Sequence, residues 1–420
     1  RTQNPEPRTR NPEPRTQNKE FSPLTDHRST VSSETSKFPT TPAGLYIHVP
    51  FCRAKCPYCD FYSITDSGLI SVYIEALLDE LNMRRHQIPR ADTIYFGGGT
   101  PSLLTPLQIK RILDGVHACF SVTADAETTL EVNPETVNQA SLAAYRAAGI
   151  NRLNIGLQSL DDETLAFLGR IHTAKKGVDA YVWARAAGFD NVGLDLIYAV
   201  PGQTRSRWEA EMENIVQLAP DHLSCYTLTM EPGTPMAQQL RNGQIKPLDE
   251  QTAGGLFSAT APYLNRHGYR QYEISNFSRY SAGDNRDWRS RHNRKYWIAA
   301  SYLGFGPAAH SFLDHRRWWN HRSLNDYLAD LQAGKHPVAD TETLTREQQI
   351  MEFVYLGLRQ TDGIDTAEFA SRFNEDFSGQ FGAELSRLVG QGLVEQSAVW
   401  IRLTHRGMRF LEHVVDRLMG

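Results

Sequence analysis

The chain has 420 residues, 40% hydrophobic and 22% charged, an ordinary globular profile with length for about two to three domains. Lys and Arg total 44 against 48 Asp and Glu, a formal charge of -4, which speaks against a nucleic-acid partner. No apolar run approaches the roughly 18 residues that span a bilayer, and nothing at the start resembles a secretion signal.

The first stretch is a tail by composition. RTQNPEP, RTRNPEP and RTQN repeat, and a Ser/Thr-rich run follows, so residues 1–41 are expected to be disordered. From Gly44 the pattern changes to short apolar strands: 45–49, 93–96, 129–132, 153–156, 193–197 and 223–227. Amphipathic segments separate them, among them 72–83, 107–116, 137–148 and 207–218. Gly149 is expected to cap the third of these and Thr204 to start the fourth. Repeated strand–helix alternation predicts an α/β fold, a parallel sheet with right-handed crossovers. Six units fall short of a closed eight-fold barrel, so a partial (β/α)6 barrel over 42–275 is expected, with a doubly wound sheet as the alternative. Residues 276–343 are expected to form a connecting segment. Beyond them, helices at 347–359, 366–373 and 382–390, a hairpin within 393–403 and a last helix at 406–418 predict a mainly helical, winged-helix-like domain over 344–420.

The five cysteines carry more information through position than through number. Cys52, Cys56 and Cys59 crowd together, while Cys119 and Cys225 stand alone. An odd count with a tight triplet is not a disulfide framework; it fits metal binding in a reducing compartment, with cytoplasm as the default. CxxxCxxC can hold three corners of an iron–sulfur cubane and leave the fourth iron to a small molecule. The alternative is zinc, with His48 as the nearest fourth ligand. Period two puts Tyr46 and His48 on one face of their strand and Leu45, Ile47 and Val49 on the other.

The segment YIHVPFCRAKCPYCDF resembles the cofactor loop of the oxygen-independent coproporphyrinogen oxidase family of radical S-adenosylmethionine (SAM) proteins, and the similarity runs through about Ser311. Within that family it is most similar to the HemW-type heme chaperones. The oxidases carry a further Cys two residues after the third, where this chain has Phe61. The resemblance implies a [4Fe-4S] cluster on Cys52, Cys56 and Cys59, with SAM on the open iron. It implies SAM contacts at Tyr46, Tyr58, Gly98, Gly99, Thr100, Glu131, Gln158, Arg170 and Asp195, which divide between two sites where the family binds two SAM molecules. Several of these residues lie at strand ends, where a βα barrel collects its functional groups.

Further on, HNxxYW is a feature of the heme-chaperone group. It implies heme contacts at His292, Asn293, Tyr296 and Trp297. The imidazole would serve as an axial ligand, and Arg289, Arg291, Arg294 and Lys295 would pair with propionates. A structural loop and a basic–aromatic RNA contact are the alternatives. His310 is a second candidate ligand. The implied function is a heme chaperone serving a heme-accepting apo-protein, with no nucleic-acid partner; a membrane-associated acceptor and a homodimer stay open. The alternative is coproporphyrinogen III oxidase or another radical SAM enzyme.

Overall fold

The first apolar alternation folds as β1 (Ala43–Val49), whose Leu45, Ile47 and Val49 are buried. The structure is a computed structural model that describes residues 42–420 except 282, 284 and 285; the tail expected over 1–41 lies outside the described residues. Helix α1 (Ile70–Arg84) returns the chain to β2 (Ala91–Gly98), parallel to β1. The unit then repeats as α2 (Pro106–Cys119) with β3 (Val122–Val132), and as α3 (Gln139–Ala148) with β4 (Arg152–Gln158). Next come α4 (Asp162–Phe167), α5 (Ala174–Ala186) and β5 (Asn191–Tyr198), and finally α6 (Arg205–Gln217) with β6 (His222–Thr227). Local chemistry sets these boundaries. Thr105 and Gln108 form a capping box ahead of α2, with Pro106 at its first position. Gly149 ends α3 at φ 114°, and Thr204 accepts from the Arg207 N–H at the start of α6.

β1 to β6 stand side by side in chain order and parallel, so all six C-terminal ends open on one edge. The sheet stays open, as the expected partial barrel requires. After β6, α7 (Pro235–Arg241) and α8 (Glu250–Arg266) lead to β7 (Tyr269–Gln271) and β8 (Asn276–Arg279), and β8 runs antiparallel to β6.

The segment read from sequence as a connector carries much of the remaining sheet. After α9 (Arg291–Trp297), β9 (Tyr302–Phe305) pairs parallel with the outer edge of β1. Then β10 (His310–Leu313) and β11 (Arg316–Asn320) follow antiparallel, and α10 (Leu324–Gln332) precedes β12 (Val338–Thr343). The described sheet reaches 12 strands in the order β12-β11-β10-β9-β1-β2-β3-β4-β5-β6-β8-β7. Strands such as RRWWN lack apolar alternation and are held by their neighbours' backbones, which sequence pattern does not reveal.

The C-terminal region has helices α11 (Arg346–Arg359), α12 (Thr366–Phe373) and α13 (Phe377–Gly390), with β13 (Ile364–Asp365) before α12. The hairpin β14 (Val394–Gln396) and β15 (Trp400–Leu403) and a final α14 (Leu411–Met419) complete it. This matches the expected helical, winged arrangement. It has its own core, in which Phe369 packs against Phe353, Phe373, Phe377 and Phe381. The Arg359–Glu273 ion pair at 2.7 Å and the Gln360 side-chain N–H to the Trp297 carbonyl at 3.2 Å tie α11 back to the sheet.

Candidate functional site

Directly after β1 the chain leaves the sheet and comes back. The Cys52 N–H donates to the Ile64 carbonyl at 2.9 Å and the Ile64 N–H to the Pro50 carbonyl at 2.7 Å, closing a loop that holds all three clustered cysteines. Their thiols are free and half-buried. The Thr100 hydroxyl donates to Cys52 Sγ at 3.4 Å, and Arg170 Nη1 to Cys56 Sγ at 3.6 Å. A hydroxyl and a guanidinium at sulfur both favour the thiolate, the form that binds metal. Burial pushes the Cys59 thiol up, and the neighbouring Cys56 and Cys52 add to this. A thiol held up by burial beside two others is suited to a cationic centre, which would draw off its proton.

Zinc would draw its ligands to one point, whereas a cubane attaches each thiolate to a different iron. His48 is also committed elsewhere. Its Nε2–H donates to the Tyr62 carbonyl at 2.9 Å and its Nδ1 accepts from the Tyr46 hydroxyl at 3.2 Å.

Beside the loop lies a cavity of about 640 Å³ at the C-terminal ends of the strands. Of the nine positions implied for SAM, it gathers Tyr58, Gly98, Gly99, Thr100, Glu131, Gln158, Arg170 and Asp195. Tyr46 lies apart, lining a neighbouring cavity. Glu131 accepts from the Tyr95 hydroxyl at 2.8 Å, and burial, with Asp195 nearby, pushes its carboxyl up to about 7. Asp195 Oδ2 accepts from Asn154 Nδ2 at 2.6 Å, and burial raises this carboxyl as well. Asp195 Oδ1, Asn154 Oδ1 and Arg170 Nε have no hydrogen-bond partner among the described residues. Buried polar atoms left in that state cost stability unless a ligand or water meets them. A ligand rich in hydroxyl and amino groups fits this cradle, and SAM is one. Gln158 adopts φ 65°, a left-handed conformation that a non-glycine residue rarely takes outside functional sites.

The glycines serve geometry first. A Cβ at Gly99 would stand 2.7 Å from the Phe51 carbonyl oxygen and 2.8 Å from that of Val49. One at Gly98 would lie 2.6 Å from the His48 ring. Close approach of β1 and β2 therefore requires glycine there, whatever binds above. Sequence reasoning missed Tyr95 and Asn154. Period-two alternation carried the signal: Arg152, Asn154, Gly156 and Gln158 share one face of β4, as Tyr95 and Gly97 share one of β2.

The HNxxYW residues fall on α9, near the N-terminal ends of the strands. The backbone N–H groups of Arg291 and His292 donate to the Glu127 carboxylate at 3.2 and 3.1 Å, an anion at a helix N-terminus. His292 is 1% exposed, with Nδ1 bonded to Thr93 Oγ1 at 2.8 Å and Nε2 to the Tyr296 hydroxyl at 2.9 Å. Burial, with Lys295 and Arg152 near, lowers its pKa to about 3, so the ring is neutral. Asn293 lines the first cavity and Tyr296 the neighbouring one, while Trp297 packs on Tyr272 and Arg359. The surrounding cations are paired with acids: Arg289 with Asp287, Arg291 and Lys295 with Asp92, and Arg294 with Asp287.

Residues 46–215 match the radical SAM superfamily, and residues 344–410 match the HemN C-terminal domain. The chain is 33% identical over 382 residues to the heme chaperone HemW of Bacillus subtilis, covering 90% of this chain and 99% of that protein. It is 34% identical to heme chaperone HemW of Mycobacterium tuberculosis, covering 91% and 96%. A mitochondrial radical S-adenosyl methionine domain-containing protein 1 of Bos taurus is 33% identical, covering 87% and 83%. Among solved structures, coproporphyrinogen III oxidase HemN of Escherichia coli superposes with a TM-score of 0.79 at 24% identity over 92% of both chains, a likeness of fold.

Proposed function

Since the chain belongs to the family of the HemW heme chaperones, within the radical SAM proteins, we propose that it binds heme and passes it to an apo-protein acceptor. The carrying observation is Phe61, 64% exposed at the edge of the cofactor cavity, at the place where the oxidases of the family have a further cysteine. A phenyl ring offers apolar surface to a cargo and no thiol to chemistry.

Cys52, Cys56 and Cys59 would hold a [4Fe-4S] cluster, which supplies an open iron and an electron to SAM when bound. The protein's own groups do the rest. Glu131 offers a carboxylate to an amino group, and Asn154 and Asp195 offer acceptors to hydroxyls. Arg170 donates to the Gly156 carbonyl at 3.0 Å and to Cys56 Sγ, fixing the loop against β4. Thiolate ligation favours a reducing compartment, for which cytoplasm is the first choice. No helix among the described residues is long and apolar enough to cross a membrane.

The test is anaerobic reconstitution, followed by hemin titration and, separately, incubation with coproporphyrinogen, SAM and reductant. A Soret band that saturates near one heme per chain, with coproporphyrinogen unchanged, is the expected result. Conversion of coproporphyrinogen without heme uptake overturns the chaperone function and favours the oxidase.

A further inference from the structure

Where β1 meets β9, β10 and β11, a second cavity of about 570 Å³ opens beside the first. Its size falls within the roughly 300–1,000 Å³ typical of cofactor sites. Phe61, Tyr296, Tyr302 and Trp319 line it, giving flat apolar surface on several sides. Asp60 and Phe61 line both cavities, so a ligand in the second would lie next to one in the first.

The histidines around this region differ in what they can still do. Both nitrogens of His48 are taken by Tyr62 and Tyr46, and both of His292 by Thr93 and Tyr296. His310 is different. It is exposed at the start of β10, its ring stacks on Trp319 at 5.7 Å and 27°, and neither ring nitrogen has a hydrogen bond among the described residues. A metal ligand must have a free nitrogen lone pair, and His310 alone of the three offers one. Arg322, 66% exposed, lines the same cavity and donates to the Asp60 carbonyl at 3.2 Å. It is placed to pair with a carboxylate at the mouth.

Resting on the heme-binding function proposed above, we infer that this second cavity seats the heme, with His310 as an axial ligand to its iron. The imidazole donates a lone pair to the iron and no electron moves, so no further reactant is needed. His292 is then a positioning residue. Its hydrogen bond fixes the Tyr296 hydroxyl, and the Tyr296 ring forms part of the cavity wall, which gives the HNxxYW helix a role in heme binding without direct ligation.

The test uses the full reconstituted protein, hemin titration, and absorption and EPR spectra of the ferric complex. His310→Ala is expected to lose the histidine-ligated spectrum and to weaken hemin binding at least tenfold, and added imidazole is expected to restore the spectrum. His292→Ala is expected to keep a histidine-ligated spectrum. Phe61→Asp, at an exposed position, provides a second probe should His310→Ala fold poorly, and is expected to weaken hemin binding about tenfold. A ligated spectrum kept in His310→Ala but lost in His292→Ala overturns the assignment. So does unchanged affinity in both His310→Ala and Phe61→Asp. If the wild type takes up no hemin at all, the heme-binding function itself fails, a result distinct from a misplaced site.

Discussion

Replacing Gly99 by Ala adds one methyl group against the backbone where the chain leaves β1 and β2. The new carbon would meet two carbonyl oxygens, 2.7 Å away on Phe51 and 2.8 Å on Val49, and the Phe51 N at 3.0 Å. These are backbone atoms and cannot swing aside as a side-chain end would. The strand exits must separate by a few tenths of an ångström, straining the Gly99 N–H to Val49 carbonyl bond at 2.9 Å and the Thr100 N–H to Phe51 carbonyl bond at 2.7 Å. Overpacking of this kind costs about 1–3 kcal/mol. Thermal unfolding should fall by several degrees, since each kcal/mol moves Tm by about 2–4 °C in a domain of some 200 residues. Because Thr100 also donates to Cys52 Sγ, the displacement reaches the cavity. Iron content after anaerobic reconstitution should hold, while the SAM-induced change in the reduced cluster's EPR spectrum should need at least tenfold more SAM. Gly255→Ala in α8 is the control. That site is exposed with open space, and a helical Ala should stabilise by up to about 1 kcal/mol. If Gly99→Ala unfolds at the wild-type temperature and responds normally to SAM, the steric reasoning is wrong.

Substituting Ala at Cys52, Cys56 or Cys59 should abolish the cluster, measured as iron per chain falling from about four to near zero. The same change at Cys119 or at buried Cys225 should leave iron intact, and loss of iron there would contradict the assignment. Glu131, with a pKa of about 7, is mainly protonated below that pH and charged above it. If it receives the SAM ammonium as a carboxylate, SAM affinity should rise up to about tenfold per pH unit towards 7 and level off above. Glu131→Gln should flatten that profile; a wild-type profile already flat from pH 5.5 to 8 would exclude the role. Phe369→Ala removes the ring at the centre of the C-terminal aromatic cluster and should cost about 3–5 kcal/mol, read as early unfolding of that region. Cluster assembly measured below that transition should be unchanged, since the two cores are separate.

The six-fold strand–helix alternation was legible locally, because short apolar strands such as β1, with Leu45, Ile47 and Val49 buried, alternate with amphipathic helical stretches. The family resemblance of the cysteine loop pointed to most of the residues that line the first cavity, several of them at strand ends, which fall on one edge in a βα array. Gly149 and Thr204 marked helix ends through local hydrogen bonds that need nothing distant. The remaining elements depend on long-range neighbours. β9 to β12 are strands because their backbones complete a sheet edge, although their sequences lack the alternation. The same holds for the HNxxYW residues: the motif was read in a connecting segment, whereas the fold places it on α9, and Thr93 and Glu127 fix where His292 points. His310 was a second candidate ligand by sequence, behind His292. Its standing as the histidine with free nitrogens comes from Tyr46, Tyr62, Thr93 and Tyr296 occupying those of His48 and His292, a hydrogen-bond distribution that exists only once the chain is folded.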